Sequence, residues 1–224
     1  MQSSINELVD YTFLKPAGER DAVKKLCREA KAMHCASVCV NPSEVALAAR
    51  LLKGSGVKVC TVIGFPLGQS TLRVKSYEAL DAMQAGAEEL DFVVNQRLLK
   101  YAPGACETEL IQIVRACRAF RTNVVLKLIL ECCNLTKKEI ALGCRLAKKT
   151  GFDFVKTSTG FGVSGATEKD VELMRRTVGK QMGVKAAGGI RDRATAERMI
   201  AAASSAGKNI TAGVSTTRSS ASAQ

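Results

Sequence analysis

The feature that most constrains this chain is an alternation of short apolar, β-branched runs with longer amphipathic stretches, repeated about eight times without a linker. Candidate strands cover residues 8–12, 35–40, 57–63, 89–94, 124–131, 152–158 and 184–187, with a weak last one around Ile210. Candidate helices cover 19–33, 43–53, 70–85, 105–120, 136–151, 167–178 and 192–203. In the first of these, Val23, Leu26, Cys27, Ala30 and Met33 recur at three- and four-residue steps, which makes one apolar stripe. Asn41-Pro42 and Gly64-Phe65-Pro66 stop strands, and Gly54, Gly86 and Gly151 end helices. Thr136 with Glu139 three residues on predicts a capping box. Strands that alternate with helices form a parallel sheet. Eight such units in 224 residues predict one closed (β/α)8 barrel over residues 1–214, with an open doubly wound sheet as the other arrangement. Residues 215–224 are rich in Ser, Thr and Ala and are expected to fray.

Charge inside these strands narrows the reading further. Successive side chains of a strand point to opposite faces. In residues 89–94 Asp91 lies opposite Leu90, Phe92 and Val94, and in 124–130 Lys127 lies opposite Leu126, Leu128 and Leu130. Lys185 lies opposite Val184 and Ala186, and Lys156 lies opposite Val155 and Thr157. The apolar faces suit the helix layer, so Asp91, Lys127, Lys156 and Lys185 are expected to point into the barrel. One such lysine could snorkel to water. Four inward charges on neighbouring strands are hard to explain by packing, because each must be paired or neutralised.

Three lysines and an aspartate in one cup suggest a particular chemistry. Burial and a neighbouring like charge both make an ammonium easier to deprotonate, so one lysine can be neutral while its neighbour stays charged. A neutral amine attacks an aldehyde or ketone and forms a Schiff base. A carboxylate beside it can move protons. The strand bearing Lys156 runs into a Gly/Ser/Thr loop before a helix start, an order that suits an anion site.

Other classes fit less well. Net charge is +12, yet the basic residues are dispersed and no basic run carries interleaved aromatics, so no nucleic-acid partner is expected. No apolar run would span a bilayer, and residues 1–7 have neither a basic region nor an apolar core, so no membrane partner and a cytoplasmic location are expected. Nine Cys, one His and no C-x-x-C pair argue against a zinc site or a disulfide framework. The run Gly160-Phe161-Gly162-Val163-Ser164-Gly165 spells a dinucleotide motif. The acid expected about 20 residues on is missing there, and Lys156 has no task in that reading.

Several segments, in order, make the chain resemble the 2-deoxy-D-ribose-5-phosphate aldolase family. They are residues 9–16, 37–42 and 61–68, Glu89 to Asn95, Lys127 to Glu131, Phe154 to Phe161 and Val184 to Arg191. The resemblance implies a barrel without metal or cofactor that reversibly cleaves a small phosphorylated sugar, deoxyribose 5-phosphate, to acetaldehyde and glyceraldehyde 3-phosphate in deoxyribonucleotide catabolism. It also implies a possible homo-oligomer. It makes Lys156 the Schiff-base lysine, Lys185 the neighbour that perturbs it and Asp91 the proton-relay acid. Asp10, Cys39, Lys127 and Thr157 would line the substrate site, and Gly160, Gly188 and Gly189 the phosphate cup. Two departures stand out. The family opens with Asp-His-Thr where this chain has Asp10-Tyr11-Thr12. The family's last strand runs into Gly-x-Ser-Ser. Anchoring on Ile210 puts Gly213 and Val214 where the serines belong, whereas a slide of two residues puts Ser215 and Thr216 there. An aldolase-like barrel with a weakened phosphate site, acting on other aldehydes or only binding, is the alternative.

Overall fold

In a computed structural model, which describes residues 5–204 and 210–215, eight parallel strands close a barrel in sequence order. They are β1 (Val9–Phe13), β2 (Ser37–Val40), β3 (Lys58–Ile63), β4 (Glu89–Val93), β5 (Val125–Ile129), β6 (Phe154–Lys156), β7 (Gly183–Ala187) and β8 (Ile210–Ser215). The helices are α1 (Ala22–Met33), α2 (Val45–Leu52), α3 (Leu72–Gln84), α4 (Gln96–Tyr101), α5 (Pro103–Phe120), α6 (Lys137–Thr150), α7 (Glu168–Val178) and α8 (Arg193–Ser204). The fold class read from the alternation is the one found. β8 closes the ring by pairing Asp10 with Gly213 on β1 and Lys185 with Thr211 on β7.

The period-two pattern separates two environments. Val38, Leu90, Phe92, Leu126, Leu128, Val155 and Val184 point outward and join the helices in one large apolar core. Inside the barrel a second, small cluster holds Leu14, Cys39, Cys60 and Val62, with Phe65 against it. The rest of the lumen holds Asp10, Asp91, Lys127, Lys156 and Lys185, each 3% exposed or less. Local signals act as read. Thr136 and Glu139 form the capping box of α6, and Gly151 ends that helix in the left-handed region at φ 94°.

Several boundaries differ from expectation. β6 is only three residues long, so Lys156 is its last residue rather than its middle. Residues 157–161 leave the ladder as a loop at the barrel mouth. The strand read over 124–131 stops at Ile129, and Glu131 sits in the left-handed region at φ 57°. α4 was not anticipated. It is a single short helix capped by the Asn95 side chain and separated by Ala102 from α5, which Pro103 opens. Ser215 belongs to β8, and the rest of the segment expected to fray, 216–224, lies outside the described residues.

Candidate active site

The four charges expected inside do converge, because neighbouring strands carry them at matching register. Asp91 pairs in register with Lys127, and Lys156 with Lys185. One oxygen of Asp91, Oδ2, accepts from both Lys156 Nζ at 2.7 Å and Lys185 Nζ at 2.8 Å. Its other oxygen, Oδ1, accepts from the Cys60 thiol at 3.3 Å, and Lys127 Nζ stands 3.6 Å away.

The cluster is larger than the sequence suggested, and its charge differs. Asp10 joins from β1, and its Oδ2 meets Lys127 at 2.8 Å and Lys185 at 2.5 Å. Glu89, first residue of β4, makes a very short contact with Lys127. Three ammoniums therefore face three carboxylates, which corrects the expectation of three lysines against one aspartate. Glu89 could have been found, since it shares parity with Asp91 two residues on. It stands at the strand's first position.

Electrostatics follow from that pairing. Burial works to raise the pKa of Asp91, but Lys156, Lys185 and Lys127 outweigh it and hold the carboxyl well below the usual range. Asp10 behaves alike: burial opposes ionisation, and Lys127 and Lys185 overcome it. For Lys185 burial acts to lower the pKa, and Asp10 and Asp91 raise it above the ordinary lysine value, so this neighbour stays an ammonium. Burial pushes Glu89 above the ordinary glutamate value in spite of Lys127.

Linkage turns these shifts into a prediction. Asp10 and Asp91 are depressed in the folded chain, so their stabilisation is complete above the unfolded value of about 3.9. It is lost as pH falls below that value, because the unfolded chain binds protons first. Glu89 acts in the opposite sense and favours the fold at lower pH, but it is one group against two. Unfolding free energy should therefore be flat near neutrality and fall steeply below about pH 4. In Asp91→Asn the acid slope should be visibly shallower. Chemical denaturation across pH measures both.

Above the charged cluster the lumen opens into a cavity of about 230 Å³. Lys156 forms its inner wall, and Gly160, Gly188, Gly189 and Gly213 line it together with Lys15 and Arg191. The two cations, on the loops after β1 and β7, were not foreseen, and they supply positive charge beside the glycines. At the N-terminus of α8 the Asp192 carboxylate takes the Thr195 amide at 2.8 Å. β8 places Gly213 next to Ala187, at the wall of the cavity. Thr216, needed for the alternative register, lies outside the described residues.

The loops after β6 and β7 touch closely. A Cβ on Gly165 would stand 2.2 Å from the Gly188 carbonyl oxygen, and Gly188 has φ +85°. Gly165→Ala should therefore force these loops apart. The expected result is a KM for a phosphorylated substrate raised at least about tenfold, the effect of roughly 1.4 kcal/mol of lost binding, with acetaldehyde imine formation unchanged. Steady-state kinetics beside imine trapping reads the split.

The remaining expected residues fall in three places. Cys39 is fully buried inside the barrel, register-paired with Cys60 and close to Asp91. Thr157 does not face the cavity. Its hydroxyl donates to the Ala187 carbonyl at 3.1 Å and accepts from the Ala187 amide at 3.0 Å, so it ties β6 to β7 instead of reaching substrate. Glu131, unassigned in the sequence, does related work, since its carboxylate takes the Thr159 amide at 3.3 Å and makes a short contact with the Thr159 hydroxyl. Cys39, Cys60 and Asp91 offer three donor atoms within 4.8 Å of one another. The Lys156, Lys185 and Lys127 ammoniums surround the same carboxylate, a setting that suits lysine chemistry better than a second cation. A roomier hollow of about 760 Å³ lies between the outer face of β1 and α1, and Lys15 lines it as well as the mouth cavity.

The profile of DeoC/LacD family aldolases matches residues 7–223. A deoxyribose-phosphate aldolase of Clostridium perfringens is 49% identical over 200 residues, covering 89% of this chain and 88% of the relative. One from Brevibacillus brevis is 47% identical over 221 residues, covering 96% and 99%. Among solved structures, the tetrameric deoxyribose phosphate aldolase of Aeropyrum pernix superposes with a TM-score of 0.82 at 34% identity, covering 93% of this chain and 86% of that one.

Proposed function

The chain belongs to the DeoC/LacD family of aldolases, and on that footing we propose that it is a lysine-dependent lyase for 2-deoxy-D-ribose 5-phosphate. It cleaves this sugar reversibly to glyceraldehyde 3-phosphate and acetaldehyde. One observation carries the lysine's part: Lys156, 3% exposed, forms the inner wall of the mouth cavity while sharing the Asp91 carboxylate with a second ammonium.

The chemistry follows from that placement. Lys156 gives up its proton, and its amine adds to the substrate aldehyde carbon with loss of water, forming an iminium. A base removes the proton of the β-hydroxyl. The adjacent carbon–carbon bond breaks, its electron pair flows into the iminium, and glyceraldehyde 3-phosphate leaves as the new aldehyde. The enamine left on Lys156 takes a proton on carbon, and water releases acetaldehyde. Asp91, bonded to the amine itself, is the group best set to pass protons through water. Lys185 keeps a fixed positive charge beside the nucleophile. Lys15, Arg191 and the glycine-lined wall form the side of the cavity that suits a phosphate.

Self-association is part of this proposal. The Aeropyrum pernix relative is tetrameric, and α3 exposes Val74 and Tyr77, three residues apart on one helical face. Among the described residues no helix is long and apolar enough to cross a membrane. Release of acetaldehyde from deoxyribose 5-phosphate, coupled to alcohol dehydrogenase, tests the activity. Steady consumption of reduced nicotinamide supports it. Acetaldehyde condensation without turnover of the phosphorylated sugar would favour the barrel with a weakened phosphate site.

A further inference from the structure

The floor of the barrel carries one acid that the chemistry above leaves idle. We infer that Glu89 is a positioning residue: from the floor it sets the charge balance of the lysine cluster, and so how readily Lys156 gives up its proton. The inference rests on the reading of Lys156 as the imine-forming lysine.

An unbroken chain of alternating charges links the two residues. Glu89 holds Lys127, and Lys127 donates to Asp10 Oδ2 at 2.8 Å. The same oxygen meets Lys185 at 2.5 Å, and Lys185 shares Asp91 Oδ2 with Lys156. Asp10 and Asp91 are sealed inside, whereas the Glu89 side chain is 14% exposed and lines a hollow of about 260 Å³ at the floor. Glu89 is thus the acid of the three that bulk protons reach. The other charged groups around it are committed. Lys58 pairs with Glu88 at 2.7 Å, and Arg121 donates to the Ala87 and Met83 carbonyls. From inside, Lys127, Asp10 and Lys185 face it.

The sign of the effect follows from counting charges. With all six groups ionised, three carboxylates cancel three ammoniums, and the balance holds the proton on Lys156. Without the charge of Glu89 the cluster is balanced only when Lys156 is neutral. Lys127, freed of Glu89, can also turn to Asp91 Oδ1, now 3.6 Å away, and weaken the hold of Asp91 on Lys156. Both effects loosen the same proton. The raised pKa of Glu89 agrees with an acid that changes charge above the ordinary glutamate range.

The test is the pH dependence of imine formation with acetaldehyde, trapped by cyanoborohydride. In Glu89→Gln the acid limb should move to lower pH by about half a unit or more, a gain of at least about threefold on that limb. Glu89→Asp keeps the charge and should restore the wild-type limb. A merely structural role would lower the rate by one factor at every pH. A wild-type adduct with an unmoved limb in Glu89→Gln overturns the inference alone, whereas no adduct in the wild type overturns the lysine reading with it. Coupling is reciprocal, so a second measurement leaves Glu89 in place. In Lys156→Met the titration midpoint of the Glu89 carboxyl, followed by 13C NMR, should rise, and an unmoved midpoint also refutes the inference.

Discussion

Lys156→Arg should fold normally and lose essentially all activity. Arginine keeps the positive charge, so the carboxylate of Asp91 stays paired and the lumen stays balanced. What it cannot do is present a neutral amine, because the guanidinium does not deprotonate in proteins. Removing a covalent nucleophile costs on the order of 10⁴-fold or more in kcat, or at least about 5 kcal/mol of barrier. The loss should be the same at every pH, since no deprotonation can rescue it. Circular dichroism beside the acetaldehyde-release assay checks both halves. Residual activity within a factor of about ten of the wild type would remove Lys156 from the nucleophile's role.

Lys185→Leu should have two separable effects. Lys185 holds Asp10 at 2.5 Å and Asp91 at 2.8 Å in a fully buried setting. Its loss leaves three carboxylates facing two ammoniums, and breaking a buried pair in this way costs about 3–5 kcal/mol of stability. The same imbalance makes Lys156 harder to deprotonate. A unit charge at 4–6 Å in an effective dielectric near 20 is worth roughly 3–4 kcal/mol, so activity at neutral pH should fall on the order of 10²-fold. Part of that loss should return as pH rises, because the lysine nucleophile is still present. The sequence alone favours the electrostatic effect with little loss of stability, on the premise that positive charge is in excess inside the barrel. Asp10 and Glu89 remove that excess, so the stability loss is expected as well. Thermal melts and a pH–rate profile of the same variant, corrected for the folded fraction, separate the two. A pH-independent loss would leave Lys185 a structural role only.

Much of this site is legible in the sequence because strand parity is a strict rule. Asp91, Lys127 and Lys185 lie opposite apolar faces, and a barrel turns each of them inward. The barrel itself is legible from alternation, since helix stripes and strand runs recur with glycine stops between them. Parity fails to reach residues whose role comes from tertiary contact. Thr157 has the composition of a binding loop, yet its hydroxyl is consumed by the backbone of β7. Glu131 looks like the end of a strand but turns back to hold Thr159. Lys75, unremarked in the sequence, is buried against Glu109 and the Val93 carbonyl, where it ties α3 to α5 and the end of β4. Lys15 and Arg191 meet at the mouth only because β1 and β7 lie on either side of β8.

The central claim is that one lysine, Lys156, forms the covalent bond to the substrate. The most direct measurement is borohydride reduction of the protein with acetaldehyde, followed by peptide mass spectrometry. The account predicts one ethyl group per chain, on Lys156, formed with deoxyribose 5-phosphate in place of acetaldehyde as well, and absent in Lys156→Arg. An ethyl group on Lys185 or Lys127 under these conditions, or no adduct at all, would contradict it.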